Sequence, residues 1–416
     1  MLRVNTSGTF LYLIFNFDWV HLIELCLFFM NVFSQPRKII ITCNKWLSPA
    51  LQKEVIDLGF TPQRVFQTGI ELTGTVMDCI KLDLNLRTAS QVMYSLRSFS
   101  CNDPDQLYQS LLSIPWEKLL APNGYFSVTS NVFHPTISTN LFANLRVKDA
   151  IVDRMRRISV RRPSSGSDLV GAVIHLFWKQ DEAEIFIDTS GESLARHGYR
   201  KLPGQAPMLE ALAAATILST KWDQKSPFIN PMCGSGTLAI EAALIASGRV
   251  PGIIRQNYAF MHIEGYEHDM YKKERALLDN KIKDVGLGKI IASDISEKAI
   301  SIAKINAAAA GVDHLIDFQV CDFQETLIPD GNGIVMINPE YGERLGEERE
   351  LQATYARMGD FLKQNCKGKL GYVFTGNLEL AKSIRLKPSR RIEFLNAKID
   401  CRLLEYELYA GTRRTV

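Results

Sequence analysis

No two of the eight cysteines lie close enough to form a C-x-x-C pair, and none has a histidine at zinc-finger spacing. A disulfide scaffold and a cysteine-based metal centre are therefore not expected; the pattern reads as reduced core thiols in a cytoplasmic protein, with no metal. Charge of one sign is also missing. A net charge of +3 is too small to imply a nucleic-acid partner from composition, so any basic surface must be local. Beyond the first 33 residues there is no run of about 18 apolar residues long enough to span a bilayer.

The one apolar stretch of that order, Thr9 to Phe33, is interrupted by Asp18, His21 and Glu24. Charge at bilayer depth is costly. Only Arg3 precedes the stretch as a basic residue and no small-residue cleavage site follows, which also makes it a poor secretory signal. Three readings stay open: an over-extended gene start with Met30 as the natural one, an amphipathic helix, or an anchor. No stable membrane association is expected.

With 416 residues, 46% of them hydrophobic and 22% charged, the chain has room for two or three domains of ordinary globular composition. The pattern predicts a leader over 1–36, an α+β region over 37–190 and an α/β domain over 191–416. In the α+β region RKIIITC reads as a strand, LSPALQKEVIDLGF as a helix and CIKLDLNLR as an alternating strand. DPDQLYQSLLSIPWEKLL reads as an amphipathic helix opened by Asp103 and Pro104, and GYFSVTSNVF as a strand.

RVKDAIVDRMRRISVRRPSSGSD carries the one concentrated basic patch: Arg154, Arg156, Arg157, Arg161 and Arg162, with Arg146 and Lys148 before them and only Asp149 and Asp153 against them. Phosphate contacts would account for it. A solvated helix face accounts for it equally well.

HGYRKLPGQAP, with Arg200, marks a change of character at 197–207. Beyond it helices and short strands alternate: MLEALAAATILST, SPFIN, a glycine turn with its helix, KIIASDIS, EKAISIAKINAAAAG, DFQVCDF and GIVMINP. This alternation predicts a parallel, doubly wound sheet.

Four features fall at the ends of those strands. In NPMCGSGT, Asn230 and Pro231 end a strand, and Cys233, Gly234, Ser235 and Gly236 form a turn that lets a backbone approach a ligand ahead of a helix N-terminus. Asp294 ends the next strand, where a carboxylate can accept from ribose hydroxyls. Asp322, after DFQVC, is placed to accept from an adenine amine. Each has a structural explanation too: a tight turn, a helix-capping aspartate, a surface-turn aspartate. The fourth is INPEYGERLG, where Asn338 and Pro339 supply two carbonyl-type acceptors and Tyr341 a flat face for a flipped base. Two acceptors on an exocyclic amine help localise its lone pair on nitrogen. Their order puts all four at the carboxyl edge of one sheet.

On DTSGESLARHGYR, APMLEALAA, NPMCGSGTLAIEAALIA and NPEYGERLG the chain resembles the THUMP-domain RNA methyltransferases, specifically the bacterial 23S rRNA guanine-N2 methyltransferases, from Arg37 to Arg414. The resemblance implies a ferredoxin-like plus THUMP region that holds RNA, then a Rossmann-like methyltransferase domain with a seven-stranded sheet. It implies S-adenosyl-L-methionine as cofactor, with Gly234 and Gly236 at its methionine part, Asp294 at its ribose and Asp322 at its adenine. Asn338, Pro339 and Tyr341 would hold the target base, and the partner would be 23S rRNA, in a pre-ribosomal large-subunit particle.

Two positions depart from the family pattern. Glu340 stands where the family has a second proline, and His197 where an arginine is common. Losing that proline frees the backbone of the loop. Adenine-N6 methylation and a catalytically inactive RNA-binding or assembly factor are the competing expectations.

Overall fold

A computed structural model describes residues 31–409 except 136, 138, 159, 160, 205, 206, 285 and 342–347. The first 30 residues, and with them most of the apolar stretch, lie outside the described residues. Among the described residues no helix is long and apolar enough to cross a membrane.

The N-terminal half holds β1 (Arg37–Thr42), α1 (Ser48–Asp57), β2 (Arg64–Phe66), β3 (Gly69–Gly74), α2 (Val76–Asn85), β4 (Gln91–Ser100) and α3 (Pro104–Leu112). It continues with β5 (Tyr125–Phe133), α4 (Asn140–Ile158), β6 (Ser164–Gly166), β7 (Ala172–Lys179) and β8 (Glu182–Asp188). All eight strands form one sheet in the order β2-β3-β1-β4-β8-β7-β5-β6. β4 is shared: its first half pairs with β1, from Thr42 opposite Gln91 to Ile39 opposite Tyr94, and most of its length pairs with β8. A register shift between Ser95 and Arg97 bends it where only β8 remains beside it.

The segment CIKLDLNLR is a helix, not the expected strand. Its alternation is real, but Thr75 and Asp78 form a reciprocal capping box: the Asp78 amide donates to Thr75 Oγ1 at 3.2 Å and the Thr75 amide to Asp78 Oδ2 at 2.7 Å. Two orphan donors are thereby satisfied, and the start of α2 is set three residues before Cys79. Val76, Cys79, Ile80, Leu82, Asp83 and Leu84 are all buried, so a helix enclosed on most sides reads as a strand by periodicity alone. The expected helix after Asp103 ends at Leu112, and a separate 3-10 turn covers Trp116–Lys118.

The second half holds α5 (Glu210–Leu218), β9 (Phe228–Pro231), α6 (Thr237–Ala246), α7 (His268–Asp279), β10 (Ile290–Asp294), α8 (Glu297–Ala310), β11 (Ile316–Val320) and β12 (Ile334–Ile337). After these come α9 (Glu348–Gln364), β13 (Leu370–Thr375), α10 (Leu378–Lys382), β14 (Arg390–Asn396) and β15 (Ile399–Glu407). The seven strands run β11-β10-β9-β12-β13-β15-β14, parallel through β13, with β15 antiparallel to both neighbours. Alternate residues feed opposite layers: Phe228, Ile290 and Ile334 join the large core, while Ile229, Ile291 and Val335 pack with Tyr355, Met358, Phe361 and Leu362 of α9. Each such buried aliphatic side chain contributes roughly 1.5–3 kcal/mol. Strands buried on both faces explain the near-continuous apolar runs FIN and IVMI.

Between α6 and β10 the chain forms α7 and two short 3-10 turns, Pro251–Ile253 and Ala259–His262. The segment around His197 is not a bland linker. His197 and Tyr199 are buried, and the His197 ring joins the Arg87 carbonyl at 2.8 Å to Glu241 of α6 at 2.7 Å. The Arg87 guanidinium donates to the carbonyls of Leu244 and Arg249, and Glu54 of α1 accepts from the amides of Arg87 and Thr88. A buried polar chain thus links the two halves.

Candidate active site

Strand order brings the two key turns together. β9 and β12 are adjacent and parallel, with Phe228 opposite Ile334 and Ile229 opposite Val335. Adjacent strands lie about 4.8 Å apart. The glycine turn leaving β9 and the Asn338 turn leaving β12 therefore open side by side at the carboxyl edge. Asn230 ties them: its Nδ2 donates to the Met336 carbonyl at 2.9 Å.

Gly234 has φ +56° and Gly236 φ +82°, conformations that favour glycine, but the two differ in what surrounds them. A Cβ on Gly236 would stand 2.8 Å from the Ala303 side chain, so this glycine lets α8 pack against the turn. A Cβ on Gly234 would meet nothing within 4 Å among the described residues, so that position faces open space among them. Cys233 is buried, and burial pushes its thiol up, which keeps it protonated. Pro231 is buried at the strand end.

Asp294, half-buried at the end of β10, accepts from the Gly234 amide at 2.9 Å through Oδ2 and from the Ser296 amide at 2.9 Å through Oδ1. The carboxylate is oriented by the glycine turn itself, and each oxygen keeps a lone pair for a further donor. The cap of α8 is Ser296, whose hydroxyl accepts from the Ala299 amide at 3.2 Å.

Asp322 lies two residues beyond the end of β11 and caps a 3-10 turn through the Gln324 amide at 3.0 Å. Both its oxygens accept from Arg357 of α9, at 2.9 and 2.8 Å. Burial works to raise its pKa, but the Arg357 and Gln324 hydrogen bonds outweigh this and hold it below the usual carboxylate range. Arg357 also lies over the Phe323 ring, 4.9 Å from its centroid.

At the end of β12, Asn338 Oδ1 is buried and has no hydrogen-bond partner among the described residues; the same holds for Asn230 Oδ1. A buried acceptor left unpaired costs about 1–3 kcal/mol and marks a place for a donor. Pro339 is buried, Glu340 is exposed, and Tyr341 is half-buried with its hydroxyl accepting from Asn396 Nδ2 at 3.0 Å. Gly376, just after β13, makes room for that ring: a Cβ there would approach Tyr341 to 3.2 Å.

The expected basic residues divide into three. Arg156, Arg157, Arg161 and Arg162 are exposed at the end of α4 and in the following loop. Arg154 instead forms a two-point ion pair with Glu117, at 2.8 and 3.2 Å, and bonds the Leu112 carbonyl. Arg200 is bonded instead to Glu210, the Met208 carbonyl and Ser235 Oγ of the glycine turn. Sequence reasoning missed Arg357, Tyr355, Thr375, Asn377 and Asn396 around the site. The only available signal was FTGN, a further strand ending in glycine and asparagine at the same edge.

Residues 197–405 match the family described as RMKL-like, methyltransferase domain; residues 38–93 match the RlmL ferredoxin-like domain, and residues 101–188 the THUMP domain. The Ribosomal RNA large subunit methyltransferase K/L of Syntrophotalea carbinolica is 35% identical over 386 residues, 90% of this chain and 54% of that protein. The protein of the same name from Allochromatium vinosum is 34% identical, over 88% of this chain and 51% of its own length. The chain thus spans about half the length of the curated relatives it matches. Among solved structures, a possible methylase from Clostridium difficile superposes with a TM-score of 0.81 at 26% identity, covering 91% of this chain and all of that one. A predicted N6-adenine-specific DNA methylase from Listeria monocytogenes superposes at 0.80 and 29%, covering 90% and 96%. The chain belongs to the RMKL-like methyltransferase-domain family, with ferredoxin-like and THUMP domains ahead of that fold.

Proposed function

We propose that this protein methylates the exocyclic N2 amine of a guanine in 23S ribosomal RNA, using S-adenosyl-L-methionine and acting on a pre-ribosomal large-subunit particle in the cytoplasm. The observation that carries the reading is the buried Asn338 Oδ1, without a partner among the described residues, at the end of the strand next to the glycine turn. The names of the K/L relatives support ribosomal RNA as the substrate class.

The residues fit the cofactor. Gly234 faces open space, Asp294 is a carboxylate already aimed by two backbone amides, and Asp322 stands at the next strand end. They would hold the methionine part, the ribose hydroxyls and the adenine amine in turn. When bound, the cofactor supplies an electrophilic methyl group on a sulfonium. Asn338 Oδ1 and the Pro339 carbonyl accept the amine hydrogens, which turns the nitrogen lone pair away from the base ring. Tyr341 stacks on the extruded base, worth about 1–3 kcal/mol. Catalysis is chiefly positioning. Arg156, Arg157, Arg161 and Arg162 provide the phosphate contacts that seat the RNA.

A second reading, adenine N6 as the acceptor, is favoured by the Listeria neighbour's description. Incubation with labelled cofactor and unmodified 23S rRNA, followed by digestion and mass spectrometry, separates the two. N2-methylguanine is the expected product, N6-methyladenine establishes the second reading, and no incorporation overturns both.

A further inference from the structure

The acceptor loop Asn338-Pro339-Glu340-Tyr341 has one ring-locked residue and then two whose backbones are free to rotate. Hydrogen bonds from elsewhere in the fold close on those two. Tyr355 of α9 is completely buried, and its hydroxyl lies 3.3 Å from the Glu340 carbonyl and 2.9 Å from Thr375 Oγ1. Thr375, also buried at the end of β13, accepts from the Asn377 amide at 3.1 Å. Asn377 Nδ2 reaches the Tyr341 carbonyl at 3.5 Å, and Asn396 fixes the Tyr341 hydroxyl.

The protons can be counted. The Glu340 carbonyl can only accept, so the bond to it uses the Tyr355 proton; the 2.9 Å contact between Tyr355 and Thr375 then uses the Thr375 proton, whose alternative acceptor, the Asn377 carbonyl, lies farther off at 3.4 Å. The result is a directed relay, Asn377 amide to Thr375 to Tyr355 to Glu340, in which each bond polarises the next. Burial pushes the Tyr355 phenol up, so it stays a donor at any working pH. Packing does not require the hydroxyl: Met358, Phe361 and Leu362 fill the same layer as apolar groups. A buried hydroxyl is costly unless it bonds, and the atom it reaches outside its own strand layer is a carbonyl of the acceptor loop.

We propose that Tyr355 is a positioning residue for the acceptor loop, its buried hydroxyl fixing the Glu340 peptide and so supplying the constraint that a proline at 340 would otherwise give. This rests on the reading of Asn338 to Tyr341 as the amine-binding loop.

The test uses the full chain and Tyr355→Phe, read in two ways. Amide hydrogen exchange at Glu340 and Tyr341 should speed up about tenfold, while exchange in 228–237 stays unchanged. Methyl transfer to unmodified 23S rRNA should lose about five- to tenfold in kcat with cofactor affinity unaltered. Glu340→Pro should remove most of the kcat loss when combined with Tyr355→Phe. Thr375→Val, which breaks the relay one link earlier, should reproduce the faster exchange. Unchanged exchange at 340 and 341 in Tyr355→Phe overturns the proposal whatever the transfer assay gives. Absence of transfer by the wild-type chain overturns the functional reading instead, and the exchange result still judges the loop.

Discussion

Asn230 Nδ2 donates to the main-chain carbonyl of Met336 across the β9–β12 pair, two residues before Asn338. One side chain therefore ties the glycine turn that leaves β9 to the strand that leads to Asn338, the two parts that the proposed function assigns to cofactor and acceptor. Asn230→Ala should impair both at once: the Met336 carbonyl loses its partner at a cost of about 1–3 kcal/mol. Calorimetry should show weaker S-adenosylmethionine binding and a lower kcat together, with an unchanged RNA KM.

Asn338→Ala should separate the two functions. On the proposed function its Oδ1 would serve the acceptor alone, so transfer should fall by about 100-fold or more while cofactor Kd stays within about twofold. Equal losses in transfer and cofactor affinity would place Asn338 in the wrong half of the pocket.

Arg357 holds both oxygens of Asp322 at a half-exposed position, where an ion pair is worth about 0–1 kcal/mol. Arg357→Met should raise cofactor Kd by about two- to fivefold and leave the rate at saturating cofactor unchanged. A loss of rate at saturation would show that α9 acts on the acceptor side through this residue as well.

The arginines of α4 should divide by partner. Replacing Arg156 and Arg157 together with alanine should weaken RNA binding and flatten its salt dependence, by about 0.7–0.9 in slope for each phosphate that is no longer neutralised. Arg154→Ala should instead lower thermal stability, because Glu117 loses a two-point partner, and should change the salt slope little.

Asp83, buried in α2 beside Asp188, has its pKa pushed up to about 8 by desolvation, with Asp188 adding to the rise against the Ser190 and Thr189 hydrogen bonds. The folded state thus holds a proton that the unfolded chain, at about 3.9, releases. The stability this group contributes is fully present below the unfolded value and is lost as pH rises towards about 8, because the native state binds more protons over that window. Thermal melts from pH 5 to 9 should show this decline, and Asp83→Asn should flatten it and raise Tm at pH 8.5.

The second half of the molecule was legible because its signals are local: a strand, a small-residue turn and a helix recur in order, and the order alone sends Asn230, Asp294 and Asn338 to one edge. The first half was less so. The capping box of Thr75 and Asp78 outweighed an alternating pattern, a competition visible only once burial on every side of α2 is known. Tyr355 and Asn396 could not be read at all, since they reach the loop from elements 14 and 55 residues after Tyr341. His197 looked like a lapse from an arginine pattern; in the fold it bridges Glu241 and the Arg87 carbonyl, a role set by groups on other elements.

The shared strand β4 makes one continuous sheet of the two N-terminal modules. One ribbon is paired to β1 on one side and to β8 on the other, so a change in its length is felt by both halves of the N-terminal sheet. Adding a single residue to Gln91–Ser100 would turn every following side chain of that ribbon to the opposite face and break its seam with β8. Insertions are therefore borne more easily by the loops at either end of β4 than within it.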